Sequence, residues 1–280
     1  MPVNARRLIR KMRGGAQAHL LEADDGHFYV VKFRNNPQHR RILVNEWLGS
    51  TFLRYLGITV PEFRIVNLSP EFLAESPETA MVLGQRRIPP EPGWHFGSRF
   101  PGHPDRVGVF DFIPDSLLDR VENVRDFVSI LVFDKWAGNA DARQSVFLRA
   151  RVAQYVPGGA GIHPQRVGFV ALMVDHGYAF NGPHWEFVDA PPSGLYFRTS
   201  VYRHVRSLDD FQPFLDRVVN FPEEVIDEAL RGIPPEWVEG DTEALDKLLM
   251  RLLQRRRRVP ELLEQCRDHR GNPFPAWTIR

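Results

Sequence analysis

The spacing of apolar and polar positions along this 280-residue chain changes character several times. Residues 12–18 read as a turn around Gly14-Gly15, and 19–23 as a strand. Asp24-Asp25-Gly26 is a hairpin signal that leads into a second strand over 27–34, rich in β-branched and aromatic side chains. The period then lengthens. Ile42, Leu43, Trp47, Leu48, Phe52, Leu53 and Leu56 recur at helical spacing, which predicts a helix over 39–57 that ends at Gly57, with Pro61 beyond it. Two short strands follow, at 63–68 and 79–83. Residues 85–125 are irregular and rich in Pro and Gly, with a connector at 86–92 and a further short strand at 95–99. Helical spacing returns over 124–136. Residues 146–155 and 167–174 read as paired strands around a Pro157-Gly158-Gly159 loop, and 208–267 as mainly helical, interrupted at Ile233-Pro234-Pro235. No internal repeat or low-complexity segment is present. The pattern divides the chain into a β-rich part, 1–90, with one main helix, and a mainly helical part, 91–280, an α+β organisation.

Composition narrows the classes. Apolar residues make up 43% and charged residues 25%, enough to bury a sizeable core. The formal net charge of +1 supplies no field for nucleic acid or an anionic membrane, so neither partner is implied. Cys266 is the one cysteine, which rules out an intramolecular disulfide and gives no sign of an oxidising compartment. The basic N-terminus (Arg6, Arg7, Arg10, Lys11) is followed by no apolar run, and no stretch approaches ~18 consecutive apolar residues. A cytoplasmic protein is the expectation. Arg255 to Arg258 form a short basic run, read as a solvated helix end. His163, His176, His184 and His204 lack metal-ligand spacing, and G-x-S-x-G is absent.

Several positions carry candidate chemistry. Lys32 stands inside an apolar strand, Val30-Val31-Lys32-Phe33, where an ammonium needs a partner. Glu46, on the predicted helix, is suitably placed to be that partner. The Gly14-Gly15 turn can bring backbone N–H groups close to phosphate, although glycine turns are also ordinary in hairpins. Residues 133–144 leave a helix, make a polar turn and enter a strand. Asp141 there can accept or orient a hydroxyl proton, while an Asx-turn or helix-cap role is the plainer alternative for Asn139 and Asp141. Asp175 follows an apolar strand and precedes His176-Gly177, a position that suits a magnesium ligand as well as plain turn chemistry. Their order along the chain is that of a nucleotide-phosphate site: glycine turn, strand Lys, helix Glu, turn Asp, strand-end Asp.

Four stretches resemble the HipA-like kinase family, particularly its compact bacterial branch: DGHFYVVKF at 25–33, NEWLGSTFLRYLGITVP at 45–61, FDKWAGNADARQ at 133–144 and VDHG at 174–177. The resemblance runs from about residue 10 to 180 and fades through the C-terminal helices. It implies a two-lobed protein-kinase-like fold that binds ATP and Mg²⁺ in the cleft, acting on an acceptor that is a protein or a small molecule. It implies that Lys32 binds phosphates with Glu46 as its partner, that Asp141 is the catalytic aspartate and that Asp175 holds magnesium. Arg143 is expected to add charge stabilisation. Such folds place a metal-binding Asn five residues after the catalytic Asp, and Val146 stands there instead. Gln144 or Asn139 is the expected substitute. Asp134 and Asn139 also show the five-residue spacing, but Asp134 falls on the apolar-periodic helix. The departure leaves three readings: an active kinase of this family, a pseudokinase or nucleotide-binding adaptor, and a small-molecule phosphotransferase.

Overall fold

A computed structural model describes residues 1–156 and 163–278. Strands β1 (Val3–Lys11), β2 (His19–Ala23) and β3 (Phe28–Lys32) lead into helix α1 (Arg41–Leu56). Then come β4 (Phe63–Leu68), α2 (Pro70–Glu75), the small hairpin β5 (Met81–Leu83) and β6 (Arg86–Ile88), and β7 (Gly93–Arg99). Five of these strands close a barrel in the order β1-β2-β3-β7-β4. Gly26 lets the β2–β3 turn take φ +76°, and its N–H closes the turn onto Ala23 O at 3.0 Å. Gly57 caps α1 at φ +80° with its N–H on the carbonyls of Leu53 and Arg54.

Three sequence expectations are corrected here. The barrel includes β7, so the β-rich part runs through Arg99 and not to residue 90. The 86–92 connector begins as strand β6, paired with β5. Strand β1 replaces what the sequence offered only as a basic terminus. The Pro157-Gly158-Gly159 loop lies outside the described residues.

The remaining chain is mixed. Strand β8 (Val109–Phe110) and helices α3 (Asp115–Leu118) and α4 (Asp126–Ala137) precede the hairpin β9 (Gln144–Arg151) and β10 (Val167–Val174). The hairpin pairs from Gln144↔Val174 to Arg151↔Val167 without a slip. A long segment of short 3-10 turns follows. Helices α5 (Phe214–Val219), α6 (Glu223–Arg231), α7 (Pro235–Val238), α8 (Thr242–Arg255) and α9 (Val259–Arg267) finish the fold. Helix α4 is buried from Phe127 to Ala137, apolar nearly all round, because it runs through the middle of the main core. That core also takes Leu48, Phe52, Leu53 and Leu56 of α1. The barrel keeps a separate core of Leu21, Tyr29, Val31, Phe33, Val66 and Leu68. Helix α1 meets the barrel through Phe63 of β4 and Phe96 of β7, which belong to the main core. No helix among the described residues is long and apolar enough to cross a membrane.

Candidate functional site

Strand β3 ends on Lys32, which pairs with Phe96 of β7. Its ammonium donates to Glu46 Oε1 on α1 and to Asp175 Oδ1, the latter at 2.8 Å. The lysine side chain is 11% exposed and that of Glu46 3%, whereas that of Asp175 is 37% exposed, so the cation is buried against one carboxylate and meets the second at the solvent-facing edge. Burial alone would lower the lysine's pKa, but the charges of Glu46 and Asp175 outweigh it and raise the value. Burial pushes the Glu46 carboxyl up, with Lys32 opposing that push. Asp175 is held below the usual carboxylate range, chiefly by Lys32.

Asp175 follows β10 directly and takes φ +59°, a left-handed conformation that is uncommon for a residue with a side chain. Gly177, two residues on, passes so close to α1 that an added Cβ would stand 2.7 Å from Ile42 Cγ2 and 3.3 Å from Glu46 Oε1. Gly49 plays the same part from the helix side, lying against His176. Burial and the neighbouring Arg143 hold His176 well below its ordinary value, so its ring is neutral.

Asp141 sits exposed on the turn between α4 and β9. Its N–H donates to Asn139 Oδ1 at 3.1 Å, and its carboxylate accepts from the Ala142 N–H at 2.8 Å and from Gln144 Nε2 at 3.4 Å. The Asx-turn alternative thus describes its local hydrogen bonds, while the carboxylate remains open to solvent.

A cavity of about 610 Å³ gathers Gly14, Gly15, Lys32, Glu46, Asp141, Arg143, Gln144 and Asp175 at its walls. These eight residues border one space although they come from five separate stretches of chain, whereas Asn139 and Asp134 are buried away from its walls. Gly14 takes φ +118°, and the turn is tied to β5 by Gln17, whose Oε1 accepts from the Val82 N–H at 2.7 Å. Away from the charges, Val30, Phe96, Phe100, Val146 and Leu172 make an apolar wall. A second cavity of about 630 Å³, lined by Arg34, Arg40, Glu91 and Glu236 among others, touches none of these residues.

Arg143 requires a correction. Its guanidinium has no exposed surface. Nε donates to Asp134 Oδ2 at 2.9 Å and Nη2 to Asp134 Oδ1, and Nη1 reaches Val174 O at 2.9 Å and His176 Nδ1 at 3.0 Å. A guanidinium consumed this way anchors the turn and does not face charge arriving in the cavity. The same contacts account for Asp134: it is the buried partner of Arg143 and Asn139, not a second catalytic carboxylate. Sequence reasoning missed Asn45, buried on α1 and bonded to the segment after Asp175. Its signal was available, because Asn45 shares the apolar face of Ile42, Gly49 and Phe52, and a polar residue there must have partners. It also missed the Phe100 end of the cavity, which only the closed barrel brings into place.

A strand lysine paired with a helix glutamate, facing a loop aspartate at the end of a hairpin, is the electrostatic layout of kinase-type sites. The sequence profile of the HipA-like kinase family matches residues 6–149, and the chain belongs to that family. No curated protein sequence matches the chain. Among solved structures it is similar to the Golgi casein kinase, at 14% identity and a TM-score of 0.48 over 99% of this chain and 78% of that one. It is also similar to that kinase with Mn/ADP bound, at 14% and 0.44 over 96% and 73%. A third likeness is to hydra Fam20 with sugar, at 14% and 0.48 over 96% and 86%.

Proposed function

We propose that the chain is an ATP-dependent phosphotransferase that moves the γ-phosphoryl group to an acceptor hydroxyl. The observation that carries this reading is the Lys32–Glu46–Asp175 cluster in the wall of a cavity that also holds the glycine turn and Asp141. In this reading the chain has two lobes, the nucleotide lobe running through Arg99 and the second lobe supplying the turn, the hairpin and the acceptor side.

Lys32 exchanges its bond to Asp175 for phosphate oxygens, while Glu46 keeps the ammonium aimed into the cleft. The Gly14-Gly15 turn presents backbone N–H groups to the same phosphates. Asp141 orients the acceptor hydroxyl and takes its proton as the new O–P bond forms and the bond to the leaving ADP oxygen breaks. Arg143 serves by holding the turn and strand β10 in register.

The donors near Asp175 are oxygens of carboxylates and an amide, a set that fits a hard Mg²⁺ ion completed by waters and phosphate. Asp175 and Gln144 would hold it: Gln144 pairs with Val174, the residue before Asp175, and both residues border the cavity. Magnesium there would supply charge neutralisation on the transferring group.

Val146 supports a second reading. Its side chain packs with Leu148, Val170 and Leu172, so the position five residues after Asp141 offers no metal donor. A pseudokinase would bind ATP there without transferring phosphate.

Isothermal titration with a non-hydrolysable ATP analogue, with and without Mg²⁺, tests the site. Magnesium-dependent binding by the wild type that is lost in Asp175→Ala is expected, and no binding by the wild type would overturn both readings. Labelled phosphate transfer then separates them. Turnover abolished by Asp141→Asn, with binding retained, supports the phosphotransferase with either a protein or a small-molecule acceptor. Binding without transfer supports the adaptor.

A further inference from the structure

Asn45 precedes Glu46 on α1 and is completely buried. Its Nδ2 donates to three carbonyls, Gly177 O at 2.7 Å, Gly182 O at 2.9 Å and Ala179 O at 3.0 Å. Its Oδ1 accepts from Trp185 Nε1 at 2.8 Å. A carboxamide has two N–H groups and one carbonyl oxygen, and here both ends are engaged. All four partners belong to the segment that follows Asp175.

That segment has an unusual backbone. Asp175, Phe180, Asn181 and Trp185 take φ of +59°, +59°, +56° and +53°. Residues with side chains keep left-handed conformations only where the surroundings over-determine them. Around Asp175 itself, Arg143 holds Val174 O on one side and His176 Nδ1 on the other, at 2.9 and 3.0 Å, and reaches Asp175 O at 3.4 Å. Downstream, Asn45 gathers three of the segment's carbonyls, and Arg41, one turn earlier on α1, donates Nη1 to Pro183 O at 2.8 Å. Arg143 thus grips the backbone at Asp175 and Asn45 grips the stretch just after it, while neither side chain hydrogen-bonds the Asp175 carboxylate.

We infer that Asn45 is a positioning residue for Asp175. It fixes the segment from Gly177 to Trp185 to the same turn of α1 that presents Glu46 to Lys32, so that the lysine and the aspartate move as one unit. The chemistry demands an amide. Aspartate has the same shape but would turn a carboxylate towards three carbonyl oxygens. Alanine would leave three buried carbonyls and the Trp185 indole without their partner. Glutamine is one methylene longer, and the side chain here is completely buried. The inference rests on the reading of Asp175 as the residue that holds metal.

The test uses the full chain, with Asn45→Asp as the isosteric variant and Asn45→Ala as a second in case the first does not fold. Two quantities are read: amide hydrogen exchange over residues 175–185, and the gain in ATP-analogue affinity on adding Mg²⁺, each below the melting temperature. Exchange about tenfold faster in that segment, with the magnesium-dependent gain reduced about tenfold, is expected, in line with the effect of removing a residue that orients a metal ligand. Metal-free affinity should stay within about twofold, because the contacts of Lys32 and the glycine turn are untouched. A variant that melts earlier but keeps both wild-type exchange in 175–185 and the wild-type magnesium gain would overturn the inference, leaving Asn45 as an ordinary core residue. If the wild type itself shows no magnesium-dependent gain, the reading of Asp175 has failed; the segment's exchange then still decides whether Asn45 holds it.

Discussion

Arg143 shows at the residue scale how a buried charge is accommodated. Its fork meets Asp134 with no exposed surface on either side chain. Removing one member of such a pair leaves an uncompensated charge, so Arg143→Ala is expected to cost ~3–5 kcal/mol. Arg143→Lys keeps the charge but gives up the planar fork, and Val174 O and His176 Nδ1 lose their donor; about 1–3 kcal/mol is expected. Urea denaturation of both variants measures this, and a lysine variant as stable as the wild type would show that the bidentate geometry is immaterial. Lys32, Glu46 and Asp175 were legible in the sequence because each stands where a strand or helix pattern breaks or carries an unexpected charge. The pairing of Arg143 with Asp134 was not, because the end of α4 and the turn after it separate them and only the fold sets which way each side chain points.

Helix α1 decides whether those residues meet, so its supports matter at the scale of elements. Trp47 Nε1 donates to Ala229 O on α6 at 2.9 Å, and its ring stands edge-on to Phe63 and Trp237 at 5.0 and 6.2 Å. Trp237 Nε1 in turn donates to Trp94 O on β7 at 2.8 Å. The helix that carries Glu46 is thus bolted to the C-terminal helices and, through them, to the barrel. Trp47→Ala is expected to cost ~3 kcal/mol, read by denaturation, and to weaken ATP-analogue binding through looser presentation of Glu46. A variant that loses stability while keeping wild-type affinity would show that α1 does not need this support for the site. Helix α1 itself was legible from its apolar spacing and Gly57. Strand β1 was not, because register shifts between Ala5 and Arg7 and between Leu8 and Arg10 break the period of two on which a strand is recognised. Strand β6 has three residues, of which only Ile88 packs against the barrel core, too few for an alternation to read.

For the whole molecule, buried histidines set the response to acid. His95 lies inside with Nδ1 accepting from the Arg34 N–H and Nε2 donating to Glu91 O, each at 2.9 Å. Both ring nitrogens are satisfied only in the neutral form, and burial lowers the pKa to about 3. His19 and His176 are lowered as well, chiefly by burial. Between pH 6.5 and 3 the unfolded chain binds a proton at His95 that the native state refuses. Stability is therefore full above the ordinary histidine value and falls as the pH drops below it. From pH 7.5 to 5 the loss from His95 alone is about 2 kcal/mol. Urea midpoints at the two pH values measure the total, and His95→Gln should flatten the difference; an unchanged pH response in that variant would remove His95 from the account.

The closed barrel has a consequence for the chain on its way to the native state. Strand β1 completes the ring by meeting β4 in parallel at Val3↔Val66 and Asn4↔Asn67, and β7 fills the place between β3 and β4. Until Arg99 has left the ribosome the sheet has open margins, rows of N–H and C=O groups able to recruit a second chain. The arginines of β1, placed on the strand that seals the ring, add like-charge repulsion between such chains. A chain lacking residues 1–11 would expose the margins of β2 and β4 permanently, and light scattering should find it self-associated where the full chain is not.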